Sequence, residues 1–167
     1  MVASRIRRRT KIIIGGVAVL ACLAALAAYL YVRYVDVVRF SAQDGRITVD
    51  AGPVGKLGTG LLTNRGFALY VFAPDAGRRV TCTDGCATAW PPLLVPAGQA
   101  VAAGPGVRSG LLGTAPDPGG GRVVTYHGWP LYTYLGDAVP GHAAGQGSDD
   151  DGGYWYVMRP SGQIVGN

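Results

Sequence analysis

The longest apolar run comes first. From Ile12 to Val32 the chain carries 21 residues without a charge. At ~1.5 Å rise per residue, a helix of that length crosses roughly 30 Å of hydrocarbon. The pattern predicts one N-terminal transmembrane helix over residues 12–34. Beyond residue 40 the period changes. No stretch keeps a 3.6-residue repeat, and short alternating or β-branched runs take over. Leu61-Leu62-Thr63 and Val123-Val124-Thr125-Tyr126 read as strands. In the next run Tyr70 and Phe72 point to one face and Leu69 and Val71 to the other, and Tyr132 and Tyr134 repeat that aromatic face. Trp155-Tyr156-Val157-Met158 reads as a later strand, ended by Pro160-Ser161-Gly162. Residues 97–121 are rich in Gly, Ala and Pro and read as a long loop with one short strand.

The second half restates the first. Residues 61–75 lie on residues 123–137 without a gap, at an offset of 62, and Gly66 falls on Gly128 where a tight turn needs positive φ. Two copies of one hairpin-plus-return-strand unit are expected, over about 57–98 and 120–163. The expected fold is all-β: a two-repeat antiparallel sheet or small sandwich or barrel. Four segments follow: a basic tail over 1–11, the helix over 12–34, a stalk over 35–55, and a β domain over 56–167. One strand, Arg46–Asp50, is expected inside the stalk.

Charge gives the orientation. Residues 1–40 hold seven Lys/Arg against the single acid Asp36, whereas residues 41–167 hold eight bases and nine acids. The basic residues just before the apolar run stay in the cytoplasm, which places the C-terminal domain outside the cell membrane. Tyr29, Tyr31 and Tyr34 fit an interfacial belt at the far end of the helix. A cleaved signal peptide, cut at Ala25-Leu26-Ala27, and lipidation at Cys22 are the rival readings, and both also put the domain outside. The outer domain has no basic excess to neutralise phosphates, so nucleic acid is excluded as a partner. With 27 Gly, 11 Pro and no Glu, the composition is turn-rich and poor in carboxylates for acid–base work.

Cys82 and Cys86 lie in an oxidising compartment, with Asp84-Gly85 to turn the chain between them. They are expected to form a structural disulfide that fixes the approach of Trp90-Pro91-Pro92. The spacing matches neither the thioredoxin-like nor the haem-attachment pattern. Tyr70, Phe72 and Asp75, repeated as Tyr132, Tyr134 and Asp137, admit two readings. In one, the aromatics fill a sheet face and each Asp accepts backbone N–H groups in the following turn. In the other, they form an exposed aromatic shelf with a carboxylate at its edge, joined by Trp129 and Trp155 as ligand contacts. His127, His142 and Met158 are scattered candidates for a soft metal or haem, with no ligand spacing among them. Asp149-Asp150-Asp151-Gly152-Gly153 reads as a solvated acidic loop, with Ca²⁺ ligation as the rival reading. No catalytic residue and no cofactor are expected, because no nucleophile, phosphate loop or metalloprotease motif is present.

Taken together, the Tyr-x-aromatic-x-x-Asp repeats, Cys82-x-x-x-Cys86 followed by Trp90-Pro91-Pro92, and Gly128-x-Pro130-Leu131-Tyr132 resemble the bacterial and archaeal family of secreted repeats of unknown function. The resemblance spans about residues 56–163. It implies an extracytoplasmic protein or lipoprotein with repeat structure, and it brings no catalytic residues. The expected function is a membrane-anchored, non-enzymatic module that binds an envelope protein or ligand. The alternative is an accessory in extracytoplasmic redox, metal or haem traffic through Cys82/Cys86 or His127/His142/Met158.

Overall fold

A computed structural model describes residues 22–29 and 47–166. Residues 22–29 form a helical stretch, α1, whose Leu23, Leu26 and Tyr29 are exposed. Among the described residues no helix is long and apolar enough to cross a membrane. Most of the span expected over 12–34, together with the tail 1–11, lies outside the described residues.

The domain is built mostly from strands in small sheets, and no closed barrel forms. β1 (Ile47–Pro53) pairs antiparallel with β2 (Thr59–Thr63). β3 (Tyr70–Phe72) follows, then a 3-10 turn over Ala73–Gly77 and the short helix α2 (Gly85–Ala89). After β4 (Leu94–Val95), β5 (Val101–Ala103) returns parallel to β1. The second half lays down β6 (Leu112–Pro116), β7 (Arg122–Tyr126), β8 (Trp129–Pro130), β9 (Asp149–Asp150) and β10 (Gly153–Val157). β10 pairs with β3, and β7 lies between β4 and β6.

β3 sits between two apolar clusters, so its alternation is buried on both sides. Tyr70 and Phe72 enter the first cluster with Trp90, Tyr132 and Trp155. Leu69 and Val71 enter the second with Ile47, Val49, Leu93, Val124 and Met158.

A pseudo-two-fold relation joins the halves. Tyr70 and Tyr132 exchange backbone N–H···O bonds in both directions at 2.9 Å. Leu61 N–H donates to Met158 O at 2.8 Å as Val124 N–H donates to Leu93 O at 2.7 Å. Met158 N–H donates to Leu69 O at 3.1 Å as Leu93 N–H donates to Leu131 O at 2.8 Å. Leu93 is thus the counterpart of Met158, and Trp90 the counterpart of Trp155.

Three sequence expectations change. The gapless offset holds from Gly66 and Gly128 onward but slips by one residue before them. In the first copy Asn64, Arg65 and Gly66 separate the paired Thr63 and Phe67, whereas in the second only His127 and Gly128 separate Tyr126 and Trp129. The glycines take φ 81° and 83°, and His127 takes φ 51° in the tighter turn. The expected stalk is also shorter: β1 belongs to the folded unit, with Ile47 and Val49 buried, so the domain reaches back to Ile47 rather than starting near Lys56. Last, β6 pairs with β7 as β1 pairs with β2, so each copy begins one strand earlier than the repeated motif.

Candidate functional site

The side chains singled out by the sequence converge on the first cluster. Tyr132 Oη donates to Asp75 Oδ2 at 2.6 Å. Tyr70 Oη donates to Asp137 at 3.1 Å and 3.0 Å from its two carboxylate oxygens. The tyrosine of each repeat therefore holds the aspartate of the other. Both tyrosines are 0% exposed, Asp75 0% and Asp137 1%. Each aspartate also accepts from its own following loop. Thr81 gives Asp75 its N–H at 2.8 Å and its hydroxyl at 2.6 Å, and Ala144 gives Asp137 an N–H at 2.8 Å.

Burial sets the electrostatics of these pairs. Desolvation pushes the Asp137 carboxyl from its ordinary 3.8 up to about 6, against the lowering pull of the Ala144 N–H, the Tyr70 hydroxyl and nearby His142. Desolvation raises Asp75 as well, opposed by its bonds from Thr81 and Tyr132. Both phenols are held far above the usual tyrosine range, Tyr70 by burial and the Asp137 charge, Tyr132 by burial and its bond to Asp75. Each phenol stays a hydrogen-bond donor at any physiological pH.

The ring stack is the second element. Trp90 and Trp155 lie face to face at 4.0 Å with 2° between their planes. The cysteine loop delivers Trp90. Cys82 and Cys86 are joined by a disulfide with Cα atoms 5.3 Å apart, and both are buried. α2 closes that loop, and Trp90 N–H returns to Cys86 O at 2.8 Å. Pro92 then bridges to Tyr132, and Thr133 N–H donates to Pro91 O at 3.0 Å.

The shelf reading of the motif is thereby corrected. Tyr70, Phe72, Asp75, Tyr132 and Asp137 fill the interior, because both faces of β3 are covered. Trp155 is 0% exposed and offers no ligand contact, whereas Trp129 is half-buried against the second cluster. Only Tyr134 of the motif aromatics keeps partial exposure. The soft-metal candidates do not share an environment. His127 is exposed with Nδ1 3.1 Å from Gly162 O, His142 is exposed beside Asp137, and Met158 is buried in the second cluster. Among the described residues no three His, Cys, Asp or Glu side chains group to hold a metal ion. Asp149 and Asp150 form β9, and Asp151-Gly152 turn into β10 at φ 55° and 83°.

An open surface lies beside the disulfide. A cleft of about 340 Å³ is lined by Cys82, Thr83, Asp84, Ala87, Pro92, Asp117, Pro118 and Gly119. A neighbouring hollow of about 290 Å³ shares Asp117 and Pro118 with it and adds Arg78 and Arg79. Sequence reasoning missed this surface. Its one signal is the turn-forming Asp117-Pro118-Gly119-Gly120-Gly121 run, which carries the β6–β7 hairpin tip over the disulfide loop.

A family profile described as "secreted repeat of unknown function" matches residues 54–94 and 113–159. No curated protein and no solved structure matches the chain. The two matched regions stop one residue past Leu93 and one past Met158, the pair that the pseudo-two-fold relates.

Proposed function

The chain belongs to the family of secreted repeats of unknown function, which places its β domain outside the cytoplasm, and from that premise we propose a membrane-anchored, non-enzymatic binding module of the cell envelope. The observation that carries this reading is the burial of the motif. Tyr70, Asp75, Tyr132, Asp137, Trp90 and Trp155 are all within 1% of complete burial, so the residues with chemistry to offer build the scaffold. Ligand recognition then falls to the open cleft over Cys82–Cys86. Its volume suits a small peptide or glycan fragment, and its wall is apolar with Thr83, Asp84 and Asp117 as the polar points. The apolar run over residues 12–32 supplies the anchor, with the basic tail held in the cytoplasm.

The test is a titration of the full chain in nanodiscs with soluble peptide and glycan fragments of the envelope, following backbone amide signals. Saturable shifts confined to Thr83, Asp84, Ala87 and Gly119 are expected. Shifts that never saturate, or none at any of these amides, would remove the cleft as the binding surface.

A further inference from the structure

A ladder of rings runs through the first cluster. Tyr134, Trp90, Trp155 and Phe72 stack in that order, with centroids 4.0, 4.0 and 4.3 Å apart and angles of 20°, 2° and 18° between successive planes. Tyr70 meets Trp90 edge-on at 5.4 Å, and Tyr132 meets Trp155 edge-on at 5.2 Å. Each indole therefore carries a phenol, and each phenol donates to a buried carboxylate: Trp90–Tyr70–Asp137 and Trp155–Tyr132–Asp75. Packing alone explains stacked rings. It does not call for a buried proton acceptor on both phenols, since Phe at either position would fill the same space without burying a carboxylate.

Trp155 differs from the phenols in one respect that bears on oxidation. Trp155 Nε1 is buried with no hydrogen-bond partner. An oxidised Trp155 has no acceptor for its N–H proton, whereas each phenol has one already in place. An electron vacancy on Trp155 is thus driven toward a tyrosine.

We propose that this ladder is a one-electron relay, which an outer-sphere one-electron oxidant drives from the Tyr134 end and which comes to rest as a neutral tyrosyl radical on Tyr70 or Tyr132. Tyr134 is the partly exposed end of the stack, so the oxidant acts without entering the core. In the Tyr70 branch the oxidant takes one electron from Trp90. Tyr70 returns one electron to Trp90, its O–H bond breaks, and the proton passes to Asp137. The sum is an oxidant reduced by one electron, Trp90 restored, Tyr70 a neutral radical and Asp137 a neutral acid. The Tyr132 branch runs the same way through Trp155 and Asp75.

The step needs the carboxylate ionised. Asp137 faces the Tyr70 hydroxyl from β3, and the Ala144 N–H and His142 from the loop that follows it. Asp75 faces Thr81 and Tyr132, and Asp117 also acts on Tyr132. Burial holds Asp137 at about 6, so its branch opens above that pH and closes below it.

The experiment is flash oxidation of the full chain with a photogenerated ruthenium(III) polypyridyl complex, read by transient absorption and electron paramagnetic resonance. The wild type is expected to pass from a tryptophan radical to a tyrosyl radical. Tyr70→Phe with Tyr132→Phe is expected to lose the tyrosyl signal and leave a longer-lived tryptophan radical. In unmodified protein, the tyrosyl yield is expected to fall between about pH 8 and about pH 5 as Asp137 takes up a proton and its branch closes. Near-ultraviolet circular dichroism of the stack shows whether the double variant is folded, and the pH series needs no variant. A tyrosyl signal unchanged in the folded double variant, one abolished by Tyr154→Phe on the surface, or a yield independent of pH would each overturn the relay.

Discussion

Asp137 gives the most direct measure of whether the interior is arranged as described. Its carboxyl is 1% exposed and shifts from 3.8 to about 6 because burial outweighs the bonds from Ala144 and Tyr70. A difference of that size corresponds to about 3 kcal/mol between the two protonation states. The sign follows from proton counting. Between roughly pH 4 and pH 6 the folded chain holds a proton that the unfolded chain has released. The contribution to stability is therefore complete below about pH 4 and is lost as the pH rises through about 6. Asp75 is shifted in the same direction and adds to the slope. Asp137→Asn keeps a neutral side chain that still accepts from Tyr70 and Ala144, and it has nothing to titrate. Urea unfolding of the full chain in mild detergent, with the disulfide intact and Trp fluorescence as the probe, gives both stabilities. Wild type minus Asp137→Asn should fall by about 3 kcal/mol from about pH 4 to about pH 7. A difference that stays flat across that range, or rises with pH, would refute the reasoning, because the hydrogen bonds would then outweigh the burial.

Further outcomes follow from the same geometry. Tyr132→Phe strands Asp75 Oδ2, whose bond from Tyr132 is 2.6 Å, and should cost about 1.5–3 kcal/mol; combined with Asp75→Asn in a double-mutant cycle, the two effects should be markedly non-additive. Gly145→Ala would press a methyl onto the Trp90 ring and should cost about 1–3 kcal/mol while weakening the near-ultraviolet circular dichroism of the indole pair. Replacing Cys82 and Cys86 together by Ala opens a short loop only and should cost about 2 kcal/mol in chemical denaturation, leaving a cooperative transition. In intact cells a membrane-impermeant maleimide should label Ser161→Cys, an exposed position in the domain, and spare Ser4→Cys in the basic tail; the reverse pattern would invert the proposed topology.

Much of this interior is legible in the chain, and the illegible part has identifiable causes. The alternation Leu69-Tyr70-Val71-Phe72 states the two faces of β3 correctly, and Gly66 and Gly128 mark their turns. Alternation does not say whether the aromatic face meets solvent or another layer, so a shelf and a core share one signature. The partner of Tyr70 lies 67 residues away in the other copy, and no local pattern carries that pairing. The strand expected over Arg46–Asp50 stays outside the repeat because Ala51, Gly52 and Pro53 read as linker, although β1 runs on through Pro53 and buries Ile47 and Val49. The one-residue slip arises from turn length, which a gapless comparison cannot register.

The reciprocity of the pairs decides what the recurring Asp is for. Within one repeat, Tyr70 and Asp75 do not bond to each other, and neither do Tyr132 and Asp137; each bond crosses to the other copy. A repeat on its own would bury a phenol without its acceptor and leave its carboxylate only the donors of its own loop, which raises the cost of burying both. The interface between the copies has the self-complementary form of a two-fold dimer, in which residue i meets j and j meets i, but it is closed within one chain. A tandem pair is thus the smallest unit that satisfies the motif. The Asp three residues past the second aromatic then marks where the neighbouring repeat must dock.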